Sequence, residues 1–266
     1  MTTRFSTSIS MMFREVPIVE RFAAARAAGF EGVEIQVLAE GDPAEMARAA
    51  RESGIDVVLI NVGMGDFLAG GPGLSGVPGR EVEFREQFAQ ALDAARQMQA
   101  RFLHLGPSRI PDGVTREDCL AVYRSNVEHA IGVRAAAAAT GCELLIEPLN
   151  RVETPTALLQ DIDDGARLID AAFRGRVGLQ FDVYHVAMNG HSVLDAYSRH
   201  RDLVRHVQFS DLPGRQEPGA GQIDFPTLFA ALGQAGYAGW LGAEYFARRP
   251  TPETLGWFQP YRRPPG

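Results

Sequence analysis

Four short apolar runs in the second half of the chain end in the same way. Leu144-Leu145-Ile146 stops on Glu147, Leu179-Gln180-Phe181 stops on Asp182, His206-Val207 leads to Gln208, and Leu241-Gly242-Ala243 stops on Glu244. Pro148 follows Glu147 and cannot extend a hydrogen-bonded ladder. Short runs of this composition read as strands buried on both faces. Strands that release a polar side chain at their carboxyl ends are how a parallel barrel presents chemistry.

The rest of the chain supports such a barrel. Strand-like segments at 5–10, 32–37, 56–62, 102–106, 143–147, 177–182, 204–211 and 239–246 alternate with helix-like ones at about 16–28, 43–53, 81–100, 115–139, 156–173, 192–199 and 225–235. That alternation is the sign of βα units and a parallel sheet. Gly29 and Gly54 stand where a left-handed residue closes a helix, and Pro43 stands where one opens. Thr115 with Asp118 is a capping-box variant. Eight strands, seven clear helices and a poor eighth fit one (β/α)8 barrel over residues 1–266, with an irregular tail after about 250. An open doubly wound sheet is the alternative.

Charge and cysteine content narrow the partners. A net charge of −7 disfavours nucleic acid and anionic membranes. Two cysteines, Cys119 and Cys142, make no disulfide framework and suit a reducing cytoplasm. The first ten residues lack the apolar core of a secretory signal, and no run approaches the ~18 apolar residues of a membrane span. The long segment 63–80 contains Gly71-Pro72-Gly73-Leu74-Ser75-Gly76, a dinucleotide-binding pattern by letter alone. It does not join a strand directly to a helix, so it is set aside. A loop of this length covers a site or meets another subunit, which leaves a homo-oligomer open.

In a barrel, strands five to eight lie side by side, and Glu147, Asp182, Gln208 and Glu244 converge at its mouth. One acid at a strand end is commonly a helix cap or a loop salt bridge. Four oxygen-bearing side chains on consecutive strands point instead to a divalent cation, with Mg²⁺ or Mn²⁺ favoured by hard oxygen ligands. Without a cation the three carboxylates would repel, and at least one would take up a proton. His185, just past Asp182, is placed to donate to a substrate oxygen. His206 shares the face of Gln208 and is a further substrate-binding candidate, whereas His104 reads as a core histidine. Arg215, on the glycine-rich loop after strand seven, has the fork that binds a carboxylate. There is no GxSxG, HExxH, P-loop or CxxC motif.

The segments IEPLN, FDVYH, HVQFSD and GAEY, the loop RQEPGAGQID, the stretch GDFLAGGPGLSGVPGREVEF and the N-terminal FSTSISMMF together resemble the hydroxypyruvate isomerase family of the xylose-isomerase-like barrels. The resemblance covers nearly the whole chain. It implies metal-assisted interconversion of hydroxypyruvate and 2-hydroxy-3-oxopropanoate through an enediolate. Glu147 and Glu244 would be the acid–base pair and would share the metal with Asp182 and Gln208, while His185 and Arg215 orient the substrate. EPLNRVE also resembles the ketose 3-epimerases, in which a glutamate at the position of Glu153 contacts substrate. Those enzymes carry a histidine where this chain has Gln208. A 2-oxo-tetronate is an alternative substrate with the same chemistry. A sugar-acid binding protein without turnover is a further alternative, opposed by the intact glutamate pair. The superfamily's abasic-site endonucleases need more metal-binding histidines and a basic groove.

Overall fold

The structure is a computed structural model that describes residues 4–136 and 141–262. Eight parallel strands close on themselves in sequence order: β1 (Arg4–Ser8), β2 (Gly32–Ile35), β3 (Asp56–Asn61), β4 (Phe102–His104), β5 (Glu143–Ile146), β6 (Val177–Asp182), β7 (Val204–Phe209) and β8 (Trp240–Ala243). β8 pairs with β1 in the register Ser6↔Gly242, which closes the ring and rules out the open sheet.

The helices that clothe the barrel are α1 (Ile18–Ala28), α2 (Pro43–Ser53), α3 (Glu81–Met98), α4 (Arg116–Ala136), α5 (Ile162–Leu168), α6 (Val183–Met188), α7 (Val193–His200) and α8 (Phe225–Gln234). Local chemistry explains their ends. Asp42 caps α2 by accepting from the Ala44 and Glu45 N–H groups, and Gly54 closes it at φ 63°. α3 buries Phe84, Phe88, Ala91, Leu92 and Ala95, a stripe of period near 3.6. Each buried Phe contributes roughly 1.5–3 kcal/mol.

Three stretches depart from the sequence expectations. Residues 156–161 are not helical, because their backbone bonds to neighbouring loops: Ile110 N–H donates to Thr156 O, Leu158 N–H to Ser108 O, and Leu149 N–H to Leu159 O. α5 therefore begins only at Ile162, capped by Asp161, and Ile169–Phe173 continue as a wider π turn. α6 starts directly at the end of β6, in a stretch for which no helix was expected. The tail is not irregular throughout. Thr251–Phe258 form 3₁₀ turns, with Phe258 stacked on Phe30 at 4.3 Å and Thr251 Oγ1 accepting from the Phe13 N–H at 2.6 Å. The expected helix end at 137–139 lies outside the described residues.

Inside the barrel, Val58, Leu59, Phe102, Leu145 and Trp240 form an apolar plug. His206 lies against its Phe102 ring, 5.4 Å between centroids. Ser6, Glu34, Gln180, His206 and Gln208 are likewise almost wholly buried. Among the described residues no helix is long and apolar enough to cross a membrane.

Candidate active site

Glu147 follows the last residue of β5, Asp182 ends β6, Gln208 is the penultimate residue of β7, and Glu244 follows β8. All four thus stand at the carboxyl end of the ring. Asp182 Oδ1 caps α6 through the Tyr184 N–H at 2.8 Å, so it is a helix cap as well as a member of the site. Its Oδ2 faces the Arg215 guanidinium, whose Nη2 donates to Asp182 at 2.7 Å and to Glu244 Oε2 at 2.6 Å.

Arg215 is held in place from behind. Its φ is 54°, a left-handed conformation for a residue with a side chain, which costs of order 1 kcal/mol and must be imposed by the surroundings. Asp211 imposes it. This fully buried carboxylate accepts five backbone N–H bonds, from Leu212, Gly219, Gly221, Gln222 and Ile223, at 2.9–3.1 Å. The turn also closes through reciprocal backbone bonds between Asp211 and Gln216. A Cβ at Gly221 would lie 2.1 Å from Leu212 O, so the chain passes where only glycine fits. Sequence reasoning placed Asp211 at a strand end and missed this role; an Asp opening a Pro-Gly-rich loop was the available signal.

The carboxylates lack full compensation. Burial raises the Glu147 pKa well above the usual range, and the charges of Glu244 and Asp182 raise it further; Arg215 and the Gln180 amide oppose this. Burial likewise lifts Glu244 to about 8, against the pull of Arg215. Glu147 Oε1 is buried and finds no hydrogen-bond partner within the described residues. Glu147, Asp182 and His185 each bring one ligand atom within 4.8 Å of the others, a cluster able to hold a metal ion. The residues fit a hard divalent ion, which would relieve the same repulsion that pushes protons onto the glutamates.

A pH dependence follows. Groups whose folded pKa is raised bind protons more readily folded than unfolded, so the metal-free protein loses stability as pH rises from about 4.5 towards 8. His185 and His104 are lowered by burial to about 4 and about 3 and act oppositely, but only below the unfolded value of 6.5. Between pH 6.5 and 8 the glutamates therefore dominate. We expect the metal-free melting temperature to fall across that window and the increment from added Mn²⁺ to grow, since binding requires the ionised carboxylates. Calorimetric melts with and without Mn²⁺ check this; an increment that shrinks with pH would contradict it.

His185 has a defined tautomer. The Asn150 N–H donates to its Nδ1 at 3.2 Å, and the Asn150 side-chain amide lies 2.8 Å from the same atom. Nδ1 is therefore the acceptor, and the neutral ring carries its proton on Nε2, which is 3.6 Å from Asp182 Oδ2. That leaves His185 better suited to donate to a substrate than to ligate through Nε2. Glu153 accepts from the Tyr184 hydroxyl at 2.5 Å and from the Asn150 amide at 3.1 Å, and thus belongs to the same network.

Two sequence-selected residues are wholly enclosed. His206 is fully enclosed and its Nε2 is 2.9 Å from Glu34 Oε1, so it is not brought to the mouth and the expected substrate contact is corrected. Gln208 is also fully buried; its amide donates to Glu34 Oε2 at 2.7 Å and its oxygen accepts from Gln180. Burial alone would raise Glu34, but His206, Ser6 and Gln208 bring its pKa below the usual value, so it is a carboxylate. His104, read as a core residue, sits with Nε2 3.8 Å from Glu147 Oε2. The loop 63–80 is pinned beside β4: Arg109 donates to Phe67 O and Gly71 O, and Arg80 to Asp66 and Gly73 O. A separate cavity of about 860 Å³, lined by Arg4, Arg51, Arg101 and Trp240 among others, includes residues that open β1, β3 and β8, at the opposite end from these carboxylates.

A family model described as xylose isomerase-like TIM barrel matches residues 22–261. The chain belongs to the xylose isomerase-like TIM barrel family. A 2-oxo-tetronate isomerase of Cupriavidus necator is 36% identical, the match covering 97% of this chain and 98% of that protein. The hydroxypyruvate isomerase of Escherichia coli is 31% identical over 97% of this chain and 99% of its own. A crystal structure from Brucella melitensis titled AP endonuclease, family 2, is 34% identical and superposes with a TM-score of 0.91, covering 98% of this chain and all of that one. With isomerases as near full-length relatives, this xylose isomerase-like barrel is an enzyme of the isomerase class.

Proposed function

We propose that this barrel is a divalent-metal-dependent isomerase that interconverts hydroxypyruvate and 2-hydroxy-3-oxopropanoate. The observation that carries the reading is the pair of buried glutamates, Glu147 and Glu244, both with raised pKa, flanking a site that holds a third carboxylate and an arginine. Raised and mutually dependent pKa values let one glutamate be ionised while the other is protonated, the state a base and an acid need together. One glutamate removes a proton from C3 of hydroxypyruvate, leaving an enediolate. A proton is then delivered to C2, and the C3 hydroxyl proton passes to the C2 oxygen, so no atom is gained or lost. Arg215 exchanges a protein carboxylate for that of the substrate, and the His185 Nε2–H donates to a substrate oxygen. Glu147, Asp182, Gln208 and Glu244 would hold Mg²⁺ or Mn²⁺, which when bound neutralises these carboxylates and polarises the substrate oxygens.

A 2-oxo-tetronate is the second reading of the substrate. It shares the carboxylate and 2-oxo group, and the 36% identical relative carries that name. Glu153, tied to Tyr184 and through Asn150 to His185, is the residue that would serve a ketose 3-epimerase. A nuclease reading is disfavoured, because the chain is acidic and only one histidine stands beside the site's carboxylates among the described residues. We place the enzyme in the cytoplasm, in keeping with two free, buried cysteines.

Turnover in heavy water decides among these substrates. Hydroxypyruvate, a 2-oxo-tetronate and a ketose such as tagatose or fructose are offered with Mn²⁺ and again with chelator, with NMR following product and deuterium uptake. Metal-dependent aldehyde formation from an oxo acid is expected. Epimerised ketose without oxo-acid turnover would overturn the proposal.

A further inference from the structure

We infer that Glu34, on β2, sets which end of the Gln208 side chain faces the mouth, and is therefore a positioning residue for the metal site. The inference rests on the metal-dependent reading above.

A glutamine amide has two ends of nearly equal shape and opposite chemistry; only its oxygen can ligate a cation. Something must choose between them. Among the described residues, every group hydrogen-bonded to Glu34 through its side chain comes as a donor: Ser6 Oγ at 2.6 Å, His206 Nε2 at 2.9 Å, Gln208 Nε2 at 2.7 Å and, at 3.4 Å, Gln36 Nε2. A carboxylate offers these groups only lone pairs. The nitrogen end of Gln208 is thus drawn down onto Glu34, and its oxygen is left on the side of Gln180, whose amide donates to it, while β7 holds Gln208 in register with Asp182 on β6. One lone pair of that oxygen takes the Gln180 proton, and the second is available to a cation.

Glu34 cannot reach substrate itself, being fully buried within the barrel. Room for its head group comes from β8, which lies on the far side of β1 from β2. A Cβ at Gly242 would fall 2.0 Å from Glu34 Oε1, and the register Gln208↔Gly242 places that gap level with the glutamine it orients.

The test is Mn²⁺ affinity, read from the free-ion EPR signal on intact protein, with melting temperature measured alongside. E34Q keeps the shape but presents an amide that can accept or donate, so Gln208 is free to turn. We expect Mn²⁺ binding to weaken about 10- to 100-fold, the usual scale for groups that orient a ligand. The exchange E34Q/Q208E places two equivalent oxygens at 208 and a donor at 34, and recovers most of the loss. Unchanged affinity in E34Q alongside a large loss in E147Q would overturn this inference and leave the metal reading standing. Native affinity in E147Q would overturn the metal reading and this inference with it. A loss in E34Q that the exchange does not recover would show Glu34 to be structural only, which also overturns it.

Discussion

Glu147→Gln and Glu244→Gln are each expected to lower turnover about 10²- to 10⁴-fold, the usual contribution of a positioned acid or base. Neither change should unfold the barrel. Glu147 is buried and raised in pKa partly by the charges of Glu244 and Asp182, so an isosteric amide there removes a source of repulsion. Metal-free Glu147→Gln should therefore melt at or above the native temperature at pH 8, although its activity is lost; Glu244→Gln also gives up the Arg215 ion pair. Single-turnover NMR in heavy water separates the two glutamates, because the base variant loses deuterium exchange at the carbon that it deprotonates. Full activity in either variant removes that residue from the mechanism.

Asp211→Ala is expected to have the largest effect on stability. The change leaves five backbone N–H groups without their acceptor in a fully buried position. Hydrogen bonds to a charged group contribute about 1.5–3 kcal/mol each when broken singly. They are not additive, and water reaches some of the donors, so a total of about 3–5 kcal/mol is reasonable, in the range that marks loss of a buried network. For a chain of this size that lowers the melting temperature by roughly 6–20 °C. Arg215 depends on the same turn for its left-handed backbone, so KM for an oxo acid should rise in Asp211→Asn even where the fold survives. Native melting and native KM in both variants would show that the carboxylate does not organise this loop.

The sequence by itself determined the architecture and the mouth. Period, caps and turn residues are local, so the alternation of strands and helices was legible from neighbouring residues alone. Helix ends at Gly29 and Gly54 fell where a left-handed cap is needed. The rule that barrel strands present side chains at their carboxyl ends then brought Glu147, Asp182, Gln208 and Glu244 to one end without coordinates. Only the tertiary structure decided what those side chains touch. Glu34 is one acid between Val33 and Ile35, and nothing within β2 says that it will meet His206 and Gln208, more than 170 residues away. The tautomer of His185 depends on Asn150, and the turn of Arg215 on Asp211. Residues 156–161 read as helix because propensity is local, while their hydrogen bonds go to loops distant in sequence. A buried polar group takes the partners that ring closure supplies, and closure is a property of all eight strands together.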